Sequence, residues 1–173
     1  MTANLSIKFE QARNLSERLC EHLAVEDYGL QAIPETSPAK WHLAHTSWFF
    51  ETFILKAHVE NYQVHHPQFE VLFNSYYNSI GEQHPRAERG VLSRPTVAEV
   101  IDYRHTITEK MLQLLQLDNE EVNSLTELGI NHEQQHQELF FTDLKYNFSR
   151  NPLYPAYASK IDFAESKSEP LEW

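Results

Sequence analysis

The sequence predicts an all-α fold: a four-helix bundle with one long irregular connection between the second and third helices. Three observations carry this. Apolar residues recur at alternating three- and four-residue steps through four long stretches. The 173 residues include only 4 glycines and almost no alternating Thr/Val/Ile runs, which argues against a sheet. The 8 prolines cluster outside the periodic stretches, where they interrupt no helical hydrogen bond.

The first helix is expected over about Ser6 to Leu23, with Leu5, Phe9, Ala12, Leu19 and Leu23 on its apolar face. A turn-like stretch follows, from Asp27-Tyr28-Gly29 to Ile33-Pro34. The second helix is expected to open with Ser37 as N-cap and Pro38 at the first helical position, and to run to about Lys56. Trp41, His45, Trp48, Thr52 and Leu55 share one stripe of it, flanked by Phe49 and Phe53. Residues from Ala57 to Arg94 are the irregular connection. A long connection in a compact domain is usually functional or disordered, and the aromatic patch Phe69, Phe73, Tyr76, Tyr77 favours an ordered one. The third helix starts near Pro95, with Ser93 or Thr96 as cap, and ends near Leu117. Its core face is Val97, Val100, Ile101, Ile107, Met111, Leu114 and Leu115. Asp118-Asn119 separates it from the fourth helix, about Glu120 to Phe148, before Pro152 and Pro155. Residues 1–150 thus form one helical domain, and 151–173 read as a linker or C-terminal arm.

The net charge of −11, from 14 basic and 25 acidic residues without a basic stripe, argues against nucleic acid or an anionic membrane as partner. No apolar run approaches the length of a membrane span, and the N-terminus lacks the pattern of a signal peptide. The single cysteine, Cys20, excludes an intrachain disulfide and is expected in the core. A cytoplasmic protein is the expectation.

The most informative segment is Asn131-His132-Glu133-Gln134-Gln135-His136. Histidines four apart lie on one face of a helix. They continue the stripe Leu125, Leu128, His132, His136, Leu139, Asp143, so both rings are expected to point inward, where an unpaired polar ring is costly. A shared metal ion would satisfy them. A catalytic site needs a third protein ligand, and His45, inward on the second helix between Trp41 and Trp48, is the best candidate. His42 competes but falls on the flank near Phe49. His65, His66 and His84 read as surface residues of the connection, and His22, His58 and His105 as solvated helix positions. Glu133 and Gln135 are candidate outer partners that orient the imidazoles. His132-Glu133-x-x-His136 also fits the H-E-x-x-H pattern of zinc peptidases, but Leu139 and Thr142 stand where the extended motif needs Gly and His. Arg86 and Arg89, beside Pro85 and Gly90, suit a carboxylate-bearing ligand or local ion pairs with Glu82 or Glu88.

Several segments together resemble the N-terminal domain of ergothioneine-biosynthesis sulfoxide synthases. Ser37-Pro38-Ala39-Lys40-Trp41-His42-Leu43-Ala44-His45-Thr46-Ser47-Trp48-Phe49-Phe50-Glu51-Thr52 is similar to that family's first metal motif. Phe73-Asn74-Ser75-Tyr76-Tyr77-Asn78, His84-Pro85-Arg86-Ala87-Glu88-Arg89-Gly90 and Leu92-Ser93-Arg94-Pro95-Thr96 follow in order. His132-Glu133-Gln134-Gln135-His136-Gln137-Glu138-Leu139 is similar to the second metal motif. The match in order and spacing extends over about residues 5 to 155.

The resemblance implies a DinB-like four-helix bundle and a non-haem iron(II) held by His45, His132 and His136. It implies substrate binding through Arg86 and Arg89, with a small thiol (γ-glutamylcysteine or cysteine) and O2 as partners. The family's product is a sulfoxide in which the thiol sulfur is joined to the imidazole of N-trimethylhistidine. Three histidines alone would suit zinc or another divalent metal equally, so iron rests on the resemblance. Family enzymes continue into a second, lectin-like domain that supplies a catalytic tyrosine. This chain ends at Glu172-Trp173, about where that domain would begin, so no catalytic residue is expected within it and weak activity, or none, is expected from it alone. Two alternatives stay open: a stand-alone DinB-like metal-dependent thiol transferase or hydrolase, and a non-enzymatic, metal-stabilised bundle that binds a partner near Tyr76-Tyr77.

Overall fold

The computed structural model describes residues 2–75 and 81–158; Tyr76, Tyr77 and most of the expected C-terminal arm lie outside the described residues. The described residues contain helices and irregular segments and no strand. Four long helices dominate: α1 (Thr2–Cys20), α2 (Ala39–Phe50), α3 (Val97–Leu115) and α4 (Glu120–Ser149). Around the bundle the order is α1, α4, α2, α3, so α2 and α4 are direct neighbours. No helix among the described residues is long and apolar enough to cross a membrane.

The start of α2 differs from the expectation. Pro38 is extended (ψ 147°) and occupies the cap position itself, while Ser37 caps nothing. Ser37 is engaged elsewhere: its N–H donates to Asp143 Oδ2 at 2.8 Å and its Oγ accepts from Arg89 Nη1 at 2.8 Å. At its other end α2 runs on through a π-helical turn, Glu51–Leu55, and a last turn, Lys56–His58. Thr96 caps α3 in a reciprocal box with Glu99, and the Asn119 side chain accepts from Val122 N–H to cap α4. α1 begins and ends earlier than its periodicity suggests, although Leu23 still packs on the core.

The connection between α2 and α3 is ordered where it is described. It contains a short helix, Phe69–Leu72, and a 3₁₀ turn, Arg86–Val91. Side chains of α2 hold it down. Buried Glu51 accepts from the His65 N–H and the Tyr62 hydroxyl at 2.8 and 2.9 Å. Trp41 Nε1 donates to Leu72 O at 3.2 Å, and Lys40 Nζ donates to Leu92 O and Pro95 O, each at 2.7 Å. These contacts meet polar groups that burial would otherwise leave costly.

The buried face of α4 is rotated from the expected stripe. Leu128 and Leu139 are exposed, whereas Val122, Thr126, Ile130, Glu133, Phe140 and Leu144 are buried. His132 and His136 therefore sit at the edge of the core face, half-buried. Gly129 makes this packing possible: a Cβ there would lie 2.3 Å from Phe50 Cε1, so α2 and α4 approach more closely than a side chain would allow. Cys20 is buried as expected, and burial pushes its thiol up to about 12.

Candidate metal centre

α2 contributes His45, and α4 contributes His132 and His136 one turn apart. Each offers a ring nitrogen, and these three atoms lie within 4.8 Å of one another. The ring centroids are 4.6 to 5.0 Å apart. Among the described residues this is the one such group of three possible ligands. His45 lies between Trp41 (4.5 Å, 12° from parallel) and Trp48 (5.4 Å, 15°). His132 stacks on Phe49 at 4.5 Å. His45 and His132 are thus held by aromatic stacking, whereas His136 meets Trp41 only at a tilt (6.1 Å, 52°).

The hydrogen bonds suit a cation. His45 Nδ1–H donates to Phe73 O at 2.6 Å, which leaves a bare lone pair on its Nε2. That atom faces His132 Nε2 at 3.2 Å. Two imidazole nitrogens on a tetrahedral ion, each at about 2.0–2.1 Å, stand about 3.3 Å apart. His132 Nδ1 is buried without a hydrogen-bond partner among the described residues, so no neighbour fixes its tautomer, and an ion on Nε2 would be the partner that its ring otherwise lacks. The donor set is three neutral imidazoles and no thiolate, which fits a borderline divalent ion.

Burial holds all four neighbouring imidazoles below their ordinary pKa. It brings His132 to about 4. It lowers His45 well below its usual range, with the charge of His132 adding to the effect, and lowers His136 with help from the other rings. His42 is also lowered by burial, against the opposing pull of Asp143. All are neutral near pH 7, the form that binds a metal. Because these pKa values are depressed on folding, the unfolded chain takes up protons that the folded one refuses below about pH 6.5. Metal-free protein is therefore expected to lose stability as pH falls from about 6.5 to 4, by about 1.4 kcal/mol per pH unit from His132 alone, with the other depressed histidines adding in the same direction. Urea unfolding across that range checks this, and a flat profile would contradict it.

A cavity of about 260 Å³ opens on the three rings. Arg89 lines it and is buried; it donates to Ser37 Oγ at 2.8 Å and Ser75 Oγ at 3.1 Å, and its guanidinium lies 3.4 Å over the Trp41 ring. Arg86 also lines the cavity but is exposed, its Nη2 donating to Glu35 O. The two arginines therefore differ in depth. Gln135 is an exposed residue of the rim without a hydrogen bond to an imidazole.

Three expectations need correction. Glu133 does not orient the imidazoles. Its carboxylate makes its hydrogen bonds elsewhere, accepting from Arg13 (2.9 Å), Arg104 (2.9 Å) and Ser16 (2.6 Å). Burial pushes this carboxyl up, but Arg13 and Arg104 outweigh burial and hold it at about 2. His42 is not a flank residue. It is buried, with Nδ1 at 3.0 Å from His136 Nδ1 and Nε2 at 3.0 Å from Asp143 Oδ2. His65 is also more enclosed than a surface residue, packed on Phe69 and Tyr103. His105 is solvated as expected.

None of the curated proteins matches the chain. The family model of the DinB superfamily does, over residues 8–140, a span that includes all three imidazole ligands. With most of its length matched and a three-histidine group at the junction of two bundle helices, the chain belongs to the DinB superfamily.

Proposed function

We propose that this chain is the metal-binding domain of a non-haem iron(II), O2-dependent sulfoxide synthase. It would act with a lectin-like domain to join a cysteine-type thiol to N-trimethylhistidine. The observation that carries this reading is that buried Arg89 and the three imidazoles line the same cavity. A dipositive ion and a fixed guanidinium within one pocket match a ligand with a thiolate at one end and a carboxylate at the other.

The roles of the chain's own residues follow. His45, His132 and His136 would hold the ion, which supplies dioxygen activation and a seat for the thiolate. Arg89, braced by Ser37, Ser75 and Trp41, orients the substrate carboxylate without needing to reorganise on binding. Arg86 at the rim adds a second, solvated cation. In the overall reaction the thiol S–H and an imidazole C–H lose their hydrogens, which leave in water with one oxygen of O2. The other oxygen becomes the sulfoxide.

The test is oxygen uptake by the iron(II)-loaded chain with γ-glutamylcysteine or cysteine, N-trimethylhistidine and a lectin-like domain of the family supplied in trans. Uptake is expected to require the thiol. Arg89→Lys is expected to raise the half-saturating thiol concentration about 10-fold, the effect of losing one charge-assisted hydrogen bond of about 1.5 kcal/mol. Thiol-independent uptake, or none with the metal bound, would contradict the proposal.

A further inference from the structure

The geometry points to His42 and Asp143 as positioning residues: they fix the tautomer of His136 so that its Nε2 is the nitrogen offered to the metal. This inference rests on the three-histidine reading of the site. Asp143 Oδ2 accepts the Ser37 N–H at 2.8 Å and lies 3.0 Å from His42 Nε2. An ionised carboxylate cannot donate, so His42 carries its proton on Nε2. His42 Nδ1 is then a bare acceptor, and the atom facing it at 3.0 Å is His136 Nδ1. Only a proton on His136 Nδ1 completes that contact. His136 Nε2 is left as a lone pair, the state that the Phe73 carbonyl imposes on His45.

The two ligands are thus set from opposite sides. His45 is set by a backbone carbonyl of the α2–α3 connection, and His136 by a chain of side chains running from α4 through α2 and back. Neutral histidine in water favours the Nε2–H form, which would block coordination through that atom, so the tautomer has to be imposed. Outer partners of this kind typically change metal affinity 10- to 100-fold. The Ser37 N–H fixes the carboxylate, which links the entry of α2 to the ligand geometry of α4.

Two measurements test this. The first is long-range ¹H–¹⁵N NMR of metal-free, histidine-labelled protein at neutral pH. It should find His42 protonated on Nε2 and His136 on Nδ1; a His136 proton on Nε2, or a doubly protonated His42, overturns the inference without reference to any metal. The second is cobalt(II) titration followed by its visible spectrum. His42→Phe should bind 10- to 100-fold more weakly than wild type with an altered spectrum, while His42→Asn, whose amide oxygen can take the place of Nδ1, should recover most of the loss. Wild-type affinity and spectrum in His42→Phe would overturn the positioning role. Failure of the site itself has a different signature: His132→Ala would bind cobalt as well as wild type.

Discussion

Glu133→Gln is expected to destabilise the metal-free protein by about 3–5 kcal/mol, the usual cost of removing one member of a buried ion network. Glu133 is 0% exposed, Arg104 0% and Arg13 1%, so this carboxylate is the counter-charge of two guanidiniums in a dry site. Glutamine fills the same volume and opens no cavity. What it loses is the charge, and its amide N–H₂ would face guanidinium N–H groups that also donate. Arg104 also pairs with the part-exposed Glu17 carboxylate at 3.2 Å, but Arg13 is left with neutral acceptors such as Ser47 Oγ (2.7 Å), so one buried cation loses its counter-charge. The pH dependence is distinctive. The folded carboxyl titrates near 2 and the unfolded one near 4.5, so its contribution is complete above about pH 4.5 and fades as pH falls toward 2. The variant should lack that lower limb and retain the histidine-driven loss at higher pH. Urea unfolding of both proteins measures the difference, and a change below about 1 kcal/mol would show that the network is not held by this charge.

The second large effect concerns the ligands. Replacing both His132 and His136 by alanine leaves one imidazole of the three. An outer partner is worth 10- to 100-fold in affinity, so loss of two direct ligands should exceed about 100-fold and abolish stoichiometric metal binding. These side chains are half-buried and their backbone lies mid-helix in a 30-residue helix, so alanine suits the fold. The metal-free variant should even gain stability near pH 5, because two groups that resist protonation in the folded state are gone. Lost metal binding with a retained fold separates a ligand role from a packing role. Iron or cobalt content unchanged in the variant would refute the ligand assignment.

Periodicity located the four long helices because each buries one face, and local signals, Thr96 as a cap candidate and the Asp118-Asn119 break, located two of their starts. His45, His132 and His136 were readable as inward or near-inward positions at helical spacing. The Ser37–Pro38 start was misread because Ser37 serves Asp143 and Arg89, both distant in sequence. The role of Glu133 was hidden for the same reason: Arg13 and Arg104 lie 120 and 29 residues away, and no local pattern announces such partners. The different depths of Arg86 and Arg89 depend on how one 3₁₀ turn is set against α2, which spacing does not encode. For His42 a signal existed. Asp143 continued the stripe of His132 and His136, and a carboxylate on an inward stripe requires a partner.

The proposed chemistry requires three imidazoles to share one divalent ion. X-ray absorption at the metal edge of the zinc-loaded chain measures this most directly. The prediction is one bound ion with imidazole scattering from three rings at about 2.0–2.1 Å, falling to two rings in His45→Ala. A spectrum without imidazole scattering, or one that His45→Ala leaves unaltered, would contradict it.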